Sequence, residues 1–319
     1  MRRLLLALSL VAIPSFGQPA DIRVDVNLVR IVATVKNPAG HLVGSLSKED
    51  FTVLDNGVPQ QIALFERHTE QPLSVSLMID TSGSTAKDLK YEVESITKFL
   101  HALFSEGNPQ DAASLYSFNY QVVKHNHFGR SSQSMEHSLR SLKGEAGTSM
   151  YDAIYLTAKD LENRDGRHVM VIVTDGGDTT SSMDFHAALE AAQLSDSVIY
   201  PILVVPIAND AGRNVGGENA LTTLAAGTGG RVFAPTLGAQ LDRAFMDLIQ
   251  ELRTQYLLAY YPKDVPLTKN RFHRLEVRVR NPQLRALARN GYYGEADNDS
   301  GRSSGKTSVI PREVKRQEP

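Results

Sequence analysis

Between Leu73 and Arg253 the chain switches repeatedly between short, predominantly apolar segments and longer amphipathic ones, and that alternation restricts it to one broad architecture. The short segments are Leu73 to Asp80, Ala112 to Asn119, Val169 to Thr174 and Val198 to Val205. Helical patterns lie between and after them, at Lys87 to Phe104, Met150 to Glu162, Asp184 to Leu194 and Gly238 to Arg253. In the first of these, Leu89, Val93, Ile96, Phe99, Leu100 and Leu103 fall on one helical face. Strands that are apolar on both faces need helices on both sides. The expected fold is therefore α/β, a doubly wound and mostly parallel sheet.

The flanks read differently. Val24, Val26 and Leu28 alternate with polar residues before the phase moves to Val29, Ile31, Ala33 and Val35, which predicts a bulge or bend. Asn37-Pro38-Ala39-Gly40 is a turn, and Asp55-Asn56-Gly57 predicts a hairpin joining Phe51–Leu54 to Ile62–Phe65. Strand patterns return at Tyr256 to Tyr261, at Phe272 to Val279 and at Leu284 to Tyr293. Neither flank has enough strands to bury a core alone, so both are expected to form one β-sandwich with the α/β unit inserted in it. The resulting division is 21–70 and 255–295 for the sandwich, 71–254 for the α/β unit, and 296–319 for a polar, disordered tail.

At the N-terminus, Met1-Arg2-Arg3, the apolar run Leu4 to Ile13 and the small residues at Ser15-Phe16-Gly17 have the layout of a secretory signal peptide over residues 1–20. A run of about ten residues is too short to span a bilayer, so the mature chain is expected to be exported, periplasmic or secreted, with no transmembrane segment. There is no cysteine, which excludes disulfides and thiolate metal sites. With 36 acidic residues against 34 basic, the net charge of −2 gives no reason to expect a nucleic-acid partner.

Ligands of open α/β sheets bind at the carboxyl ends of the strands. The first strand ends in Asp80-Thr81-Ser82-Gly83-Ser84, which sets one carboxylate and two hydroxyls on alternate loop positions. Such hard oxygen donors suit Mg²⁺, with Mn²⁺ or Ca²⁺ as alternatives. Asp-x-Ser-x-Ser alone arises by chance in roughly a tenth of chains this long, and each residue could equally cap a helix or turn. Two further loops add weight: Gly147-Thr148-Ser149 before a helix, and Asp175-Gly176 at the end of a second strand.

In that order and setting, Asp80, Ser82, Ser84, Thr148 and Asp175 resemble the metal-ion-dependent adhesion site of von Willebrand factor type A domains, also found in integrin inserted domains. The resemblance covers Leu73 to Arg253. It implies that Ser82 and Ser84 ligate the metal directly, that Thr148 does so in the ligand-engaged form, and that Asp80 and Asp175 act directly or through water. Lys48-Glu49-Asp50-Phe51, Thr228 to Phe233, Tyr256 to Pro262 and Arg289 to Tyr293 are similar to the acidobacterial von Willebrand factor A-related family of exported proteins.

The function implied is a metal-dependent adhesion or protein-binding module, not an enzyme, whose metal captures an Asp or Glu of a protein partner. A cell-envelope scaffold whose sandwich binds the partner is the alternative. A metal-assisted hydrolase has less support. Catalysis by Ser82 lacks a Gly-x-Ser-x-Gly elbow, and His168 begins the strand that ends at Asp175, about 17–20 Å away. Asp178, Asp152 and Glu145 are read as loop or capping residues, and His125 and His127 as edge-strand residues. Gly229-Gly230 is read as a helix C-cap leading into a strand at Arg231 to Phe233. Arg271, Arg274, Arg278 and Arg280 form a cationic stripe, read as a solvated face.

Overall fold

The computed structural model describes residues 28–67, 71–83, 85, 89–105, 107–204, 214–266 and 271–294. The signal peptide, the tail at 296–319, the strand start at Val24 and Val26, and Ser84 of the motif lie outside the described residues.

The chain opens with β1 (Val29–Lys36), β2 (Phe51–Asp55), β3 (Val58–Gln60) and β4 (Ile62–Arg67). The central part runs β5 (Leu73–Asp80), α1 (Leu89–Ser105), β6 (Ala112–Phe118), β7 (Val122–Gly129), α2 (Ser132–Ser141), α3 (Met150–Leu161) and β8 (Arg167–Thr174). It continues with α4 (Phe185–Leu194), β9 (Ser197–Leu203), α5 (Val215–Thr228) and α6 (Ala239–Thr254). Four strands close the chain: β10 (Tyr256–Tyr260), β11 (Phe272–Val279), β12 (Arg285–Ala288) and β13 (Gly291–Tyr293).

The central sheet has the order β7-β6-β5-β8-β9. All pairs are parallel except β6–β7, so β7 is an antiparallel edge. Every residue of β5, β6 and β9 is buried, as their predominantly apolar composition requires, and the buried Ser76 and Ser114 hydroxyls pair with each other at 2.9 Å. Val75, Leu77 and Ile79 of β5 point to one face, where Ile96, Phe99 and Leu103 of α1 and Phe245 and Leu248 of α6 cover them. Met78 joins Ile154 of α3, Ala188 of α4 and Leu221 of α5 on the other face. Fully burying each such large aliphatic side chain contributes about 1.5–3 kcal/mol.

The flanking strands form two four-stranded antiparallel sheets, β12-β1-β10-β4 and β13-β11-β2-β3. Each draws on both ends of the chain. Ile31, Ala33 and Val35 of β1, Phe51 and Val53 of β2, Tyr256 and Leu258 of β10 and Leu275 of β11 share one apolar cluster.

Three local expectations need correction. The turn at Asn56 (φ 47°) and Gly57 (φ 82°) joins β2 to β3, with Asp55 opposite Val58, and not to Ile62–Phe65. Ile62–Arg67 crosses to the other sheet and pairs with β10. Leu284–Tyr293 is two strands, not one: β12 pairs with β1 while β13 pairs with β11. Arg231–Phe233 makes no strand, only a single bridge between Phe233 and Ile202.

Candidate metal centre

β5 and β8 run side by side in register, Ile79 opposite Val173, so Asp80 and Thr174 emerge level at the carboxyl edge with Asp175 one residue beyond. Asp80 is fully buried. Its Oδ1 accepts from the Ser82 backbone N–H at 2.8 Å and its Oδ2 from the Thr174 hydroxyl at 2.6 Å. The Ser82 hydroxyl also turns to this carboxylate. Desolvation, only partly offset by these hydrogen bonds and reinforced by the charge of Asp175, pushes the Asp80 carboxyl up to about 6.

The Thr148 loop is sewn to its neighbours by backbone bonds. Glu145 N–H donates to Thr81 O at 2.8 Å, Tyr120 N–H to Ala146 O at 3.2 Å and Ser149 N–H to Asn119 O at 2.6 Å. From the other side, Thr179 and Thr180 donate their N–H groups to Thr148 O, and the Thr179 hydroxyl accepts from Thr148 N–H at 2.9 Å. The loops after β5, β6 and β8 and the loop before α3 therefore meet at one edge. Asp80, Ser82, Thr148 and Asp175 all lie on them, and Ser84 falls outside the described residues.

The carboxylates beside this group act as braces. Asp178 accepts from the Tyr151 N–H in the first turn of α3 at 3.2 Å and from the Ser181 hydroxyl at 2.5 Å, where an anion is favoured by the helix N-terminus. Buried Asp152 accepts from the N–H groups of Ser182 (3.0 Å) and Met183 (2.8 Å). Glu145 is exposed, though its backbone bridges to Ser82. The Asp175-Gly176-Gly177 turn rests on the start of α5: a Cβ on Gly217 would lie 2.4 Å from Gly177 Cα. Gly217 thus serves close packing against that turn.

Thr174, Thr179, Asn119 and Gly217 are site residues that motif spacing did not single out. Thr174 could have been found, because a hydroxyl residue directly before Asp175 at a strand end faces the neighbouring strand end. The other three carry no local signal.

His125 accepts or shares a hydrogen bond with the Ser117 hydroxyl at 2.8 Å on the edge strand, and burial lowers its pKa. His127 is exposed. Both ring nitrogens of His168 face backbone carbonyls, Ser195 O and Arg164 O, at the far end of β8. Two of the four arginines of the stripe are paired, Arg278 with Glu276 at 2.7 Å and Arg280 near Asp50, while Arg271 donates to the Gly294 carbonyl.

The donors fit a hard divalent cation. They are oxygens only, and a buried carboxylate answered by neutral N–H and O–H groups beside a second carboxylate is costly without a counter-charge. No cluster of three His, Cys, Asp or Glu side chains suited to a metal occurs among the described residues, so a cation at this edge would need hydroxyl or water oxygens besides the two carboxylates.

Residues 75–177 match the family model of the von Willebrand factor type A domain, and the central unit has the corresponding α/β fold with a mixed, mostly parallel sheet. Similar solved structures include an aerotolerance-related membrane protein from Bacteroides fragilis, at 20% identity over 56% of this chain and 98% of that one, TM-score 0.45. The von Willebrand factor domain of the type V pili tip protein Mfa5 from Porphyromonas gingivalis matches at 13% identity, over 56% and 94%, TM-score 0.45. The PilB minor pilin from Streptococcus sanguinis matches at 12% identity, over 58% and 62%, TM-score 0.46. No curated protein matches the chain in sequence. No helix among the described residues is long and apolar enough to cross a membrane.

Proposed function

We propose that this protein is an exported, metal-dependent adhesion or protein-binding module. Asp80, Ser82, Ser84, Thr148 and Asp175 would hold Mg²⁺, and the partner would present an Asp or Glu side chain. The observation that carries the reading is Asp80, a fully buried carboxylate at a strand end with Asp175 beside it and only neutral donors on its oxygens. When bound, the cation supplies an electrophilic position for the partner's carboxylate.

The surroundings favour a protein over a small ligand. Tyr120 (42% exposed) stands against Gly147, Val215 (60%) opens α5 beside Gly177, and Tyr91 (55%) lies in the first turn of α1. Exposed aromatic and aliphatic groups around a charged centre are what a protein contact uses. The fitting carrier is a β-sandwich of the two flanking sheets with the α/β unit inserted. Export rests on the Arg2-Arg3 and Leu4–Ile13 pattern.

The test is selection of displayed random peptides on the mature protein in Mg²⁺. Binders should carry an Asp or Glu whose change to Asn or Gln abolishes binding, and chelator should release them. Binders indifferent to both chelator and Asp80→Ala would refute the reading.

A further inference from the structure

At the opposite edge of the central sheet, the first residues of β8 and β9 face β1 and β10 across a cleft with a cavity volume of about 140 Å³. Its charged lining is mainly cationic: Arg30, Arg164, Arg167 and Arg289 against Asp165 and Asp196. Arg167 is 5% exposed. Its Nη1 donates to Gln255 Oε1 at 2.9 Å and its Nη2 to Leu252 O at 2.7 Å, both neutral, while Nε is buried with no acceptor.

Among the described residues Arg167 has no carboxylate at ion-pair distance. Asp111 is taken by Arg253 at 2.7 Å, and Glu66 acts only through space. Burial pushes the guanidinium down to about 10, the mark of a buried cation short of counter-charge. Arg289 is better served, with Nη1 on Asp196 at 2.7 Å, yet its Nε is also buried without an acceptor. Arg30 donates through Nη2 to Gln71 and Arg164 through Nε to Ser74, so each half-buried guanidinium keeps donors for a ligand.

We propose that this cleft binds a phosphate-type oxyanion, free or as the end group of a larger molecule, between the central sheet and the β1–β10 sheet. A tetrahedral dianion can accept from several guanidinium forks at once, which a single carboxylate cannot. The ligand would offset the charge of Arg167 and bridge Arg30 of β1 to Arg164 ahead of β8.

Isothermal titration of the mature full chain with inorganic phosphate and with glycerol 3-phosphate, in chelator so that no divalent cation takes part, tests this. Saturable binding is expected, weakened roughly tenfold by Arg30→Gln and by Arg164→Gln, as for loss of one charged hydrogen bond. Both positions are half-buried and outside the Gln255 network, and circular dichroism checks that the variants fold. Tighter binding of the monoester identifies a carried phosphate, and equal binding identifies the free anion. Absence of saturable heat with both anions, or unchanged affinity in both folded variants, overturns the proposal.

Discussion

Asp80→Asn separates a metal ligand from a simple turn residue, because asparagine keeps the shape of the carboxylate and contacts to both Ser82 and Thr174 while losing its charge. Its Oδ1 can still accept from Ser82 N–H, and its Nδ2 can donate to the Thr174 hydroxyl, which rotates to receive it. It also removes a buried negative charge beside Asp175. In chelator the variant should therefore match or exceed the wild type in stability.

In saturating Mg²⁺ the order should reverse. A cation at one hundred times its dissociation constant stabilises the folded state by about 2.7 kcal/mol, and at about 2–4 °C per kcal/mol for a unit of this size that is a rise of roughly 5–10 °C. The variant should show almost none of it. The assay is a calorimetric melt of both proteins in Mg²⁺, in Mn²⁺ and in chelator. An equal rise in both proteins would refute the assignment of Asp80 as a ligand, and no rise in the wild type would refute the metal centre.

Gly217→Ala should push α5 off the Asp175-Gly176-Gly177 turn, since its Cβ would meet Gly177 Cα at 2.4 Å. The expected cost is about 1–3 kcal/mol with a weakened metal-induced rise in the same melts, and an unchanged rise would show that the turn does not depend on α5. Asp55→Ala removes the acceptor of the Tyr260 (2.7 Å) and Tyr292 (2.8 Å) hydroxyls, leaving both buried, and should cost about 3–5 kcal/mol in urea unfolding; Tyr260→Phe should cost about 1 kcal/mol. A small loss for Asp55→Ala would mean that the two flanking sheets are not pinned together there. Burial depresses the His125 pKa below 6.5, so the unfolded chain binds the proton more readily. Stability should be full above about pH 6.5 and fall as the pH drops through the lower folded value; His125→Gln should flatten that slope, and an unchanged slope would assign it elsewhere.

The central unit was legible in sequence because its strands are buried on both faces, which leaves short runs of apolar and small residues without the polar alternation of a half-exposed strand. The candidate site was read from strand ends, and the structure has β5 end at Asp80 and β8 end one residue before Asp175. The flanking sheets were harder, since strands of three to eight residues carry no mark of which distant strand they join. The β2–β3 hairpin was misassigned by asking for an apolar partner. A two-residue turn at Asn56-Gly57 requires the partner to start at Val58 whatever its polarity, and Pro59 sits there because β3 is an edge. Arg285–Ala288 and Gly291–Tyr293 were merged because the break at Arg289 and Asn290 is only two residues long, and its one local signal, Asn290-Gly291, was read as part of the strand.

The arrangement of the two ends of the central sheet limits how the proposed site can work. β5 spans eight residues, about 25 Å, from Leu73 at the flanking sheets to Asp80 at the candidate site. The chain leaves α6 for β10 through Gln255 alone, and that residue is buried. Its amide donates to the Tyr200 hydroxyl at 2.7 Å and to Thr34 at 3.1 Å while accepting from Arg167 at 2.9 Å. One turn earlier, buried Glu251 holds Lys36 of β1 at 2.9 Å and Arg231 at 2.7 Å. Sliding α6 along the sheet would break the Glu251 pairs and strand the Gln255 amide, a cost of several kcal/mol. If the proposed capture of a partner carboxylate occurs, this seam confines the accompanying change to the loops of Thr148 and Asp175. A load on a partner held at Asp80 would then run down β5 and β8 to the Glu251 and Gln255 contacts.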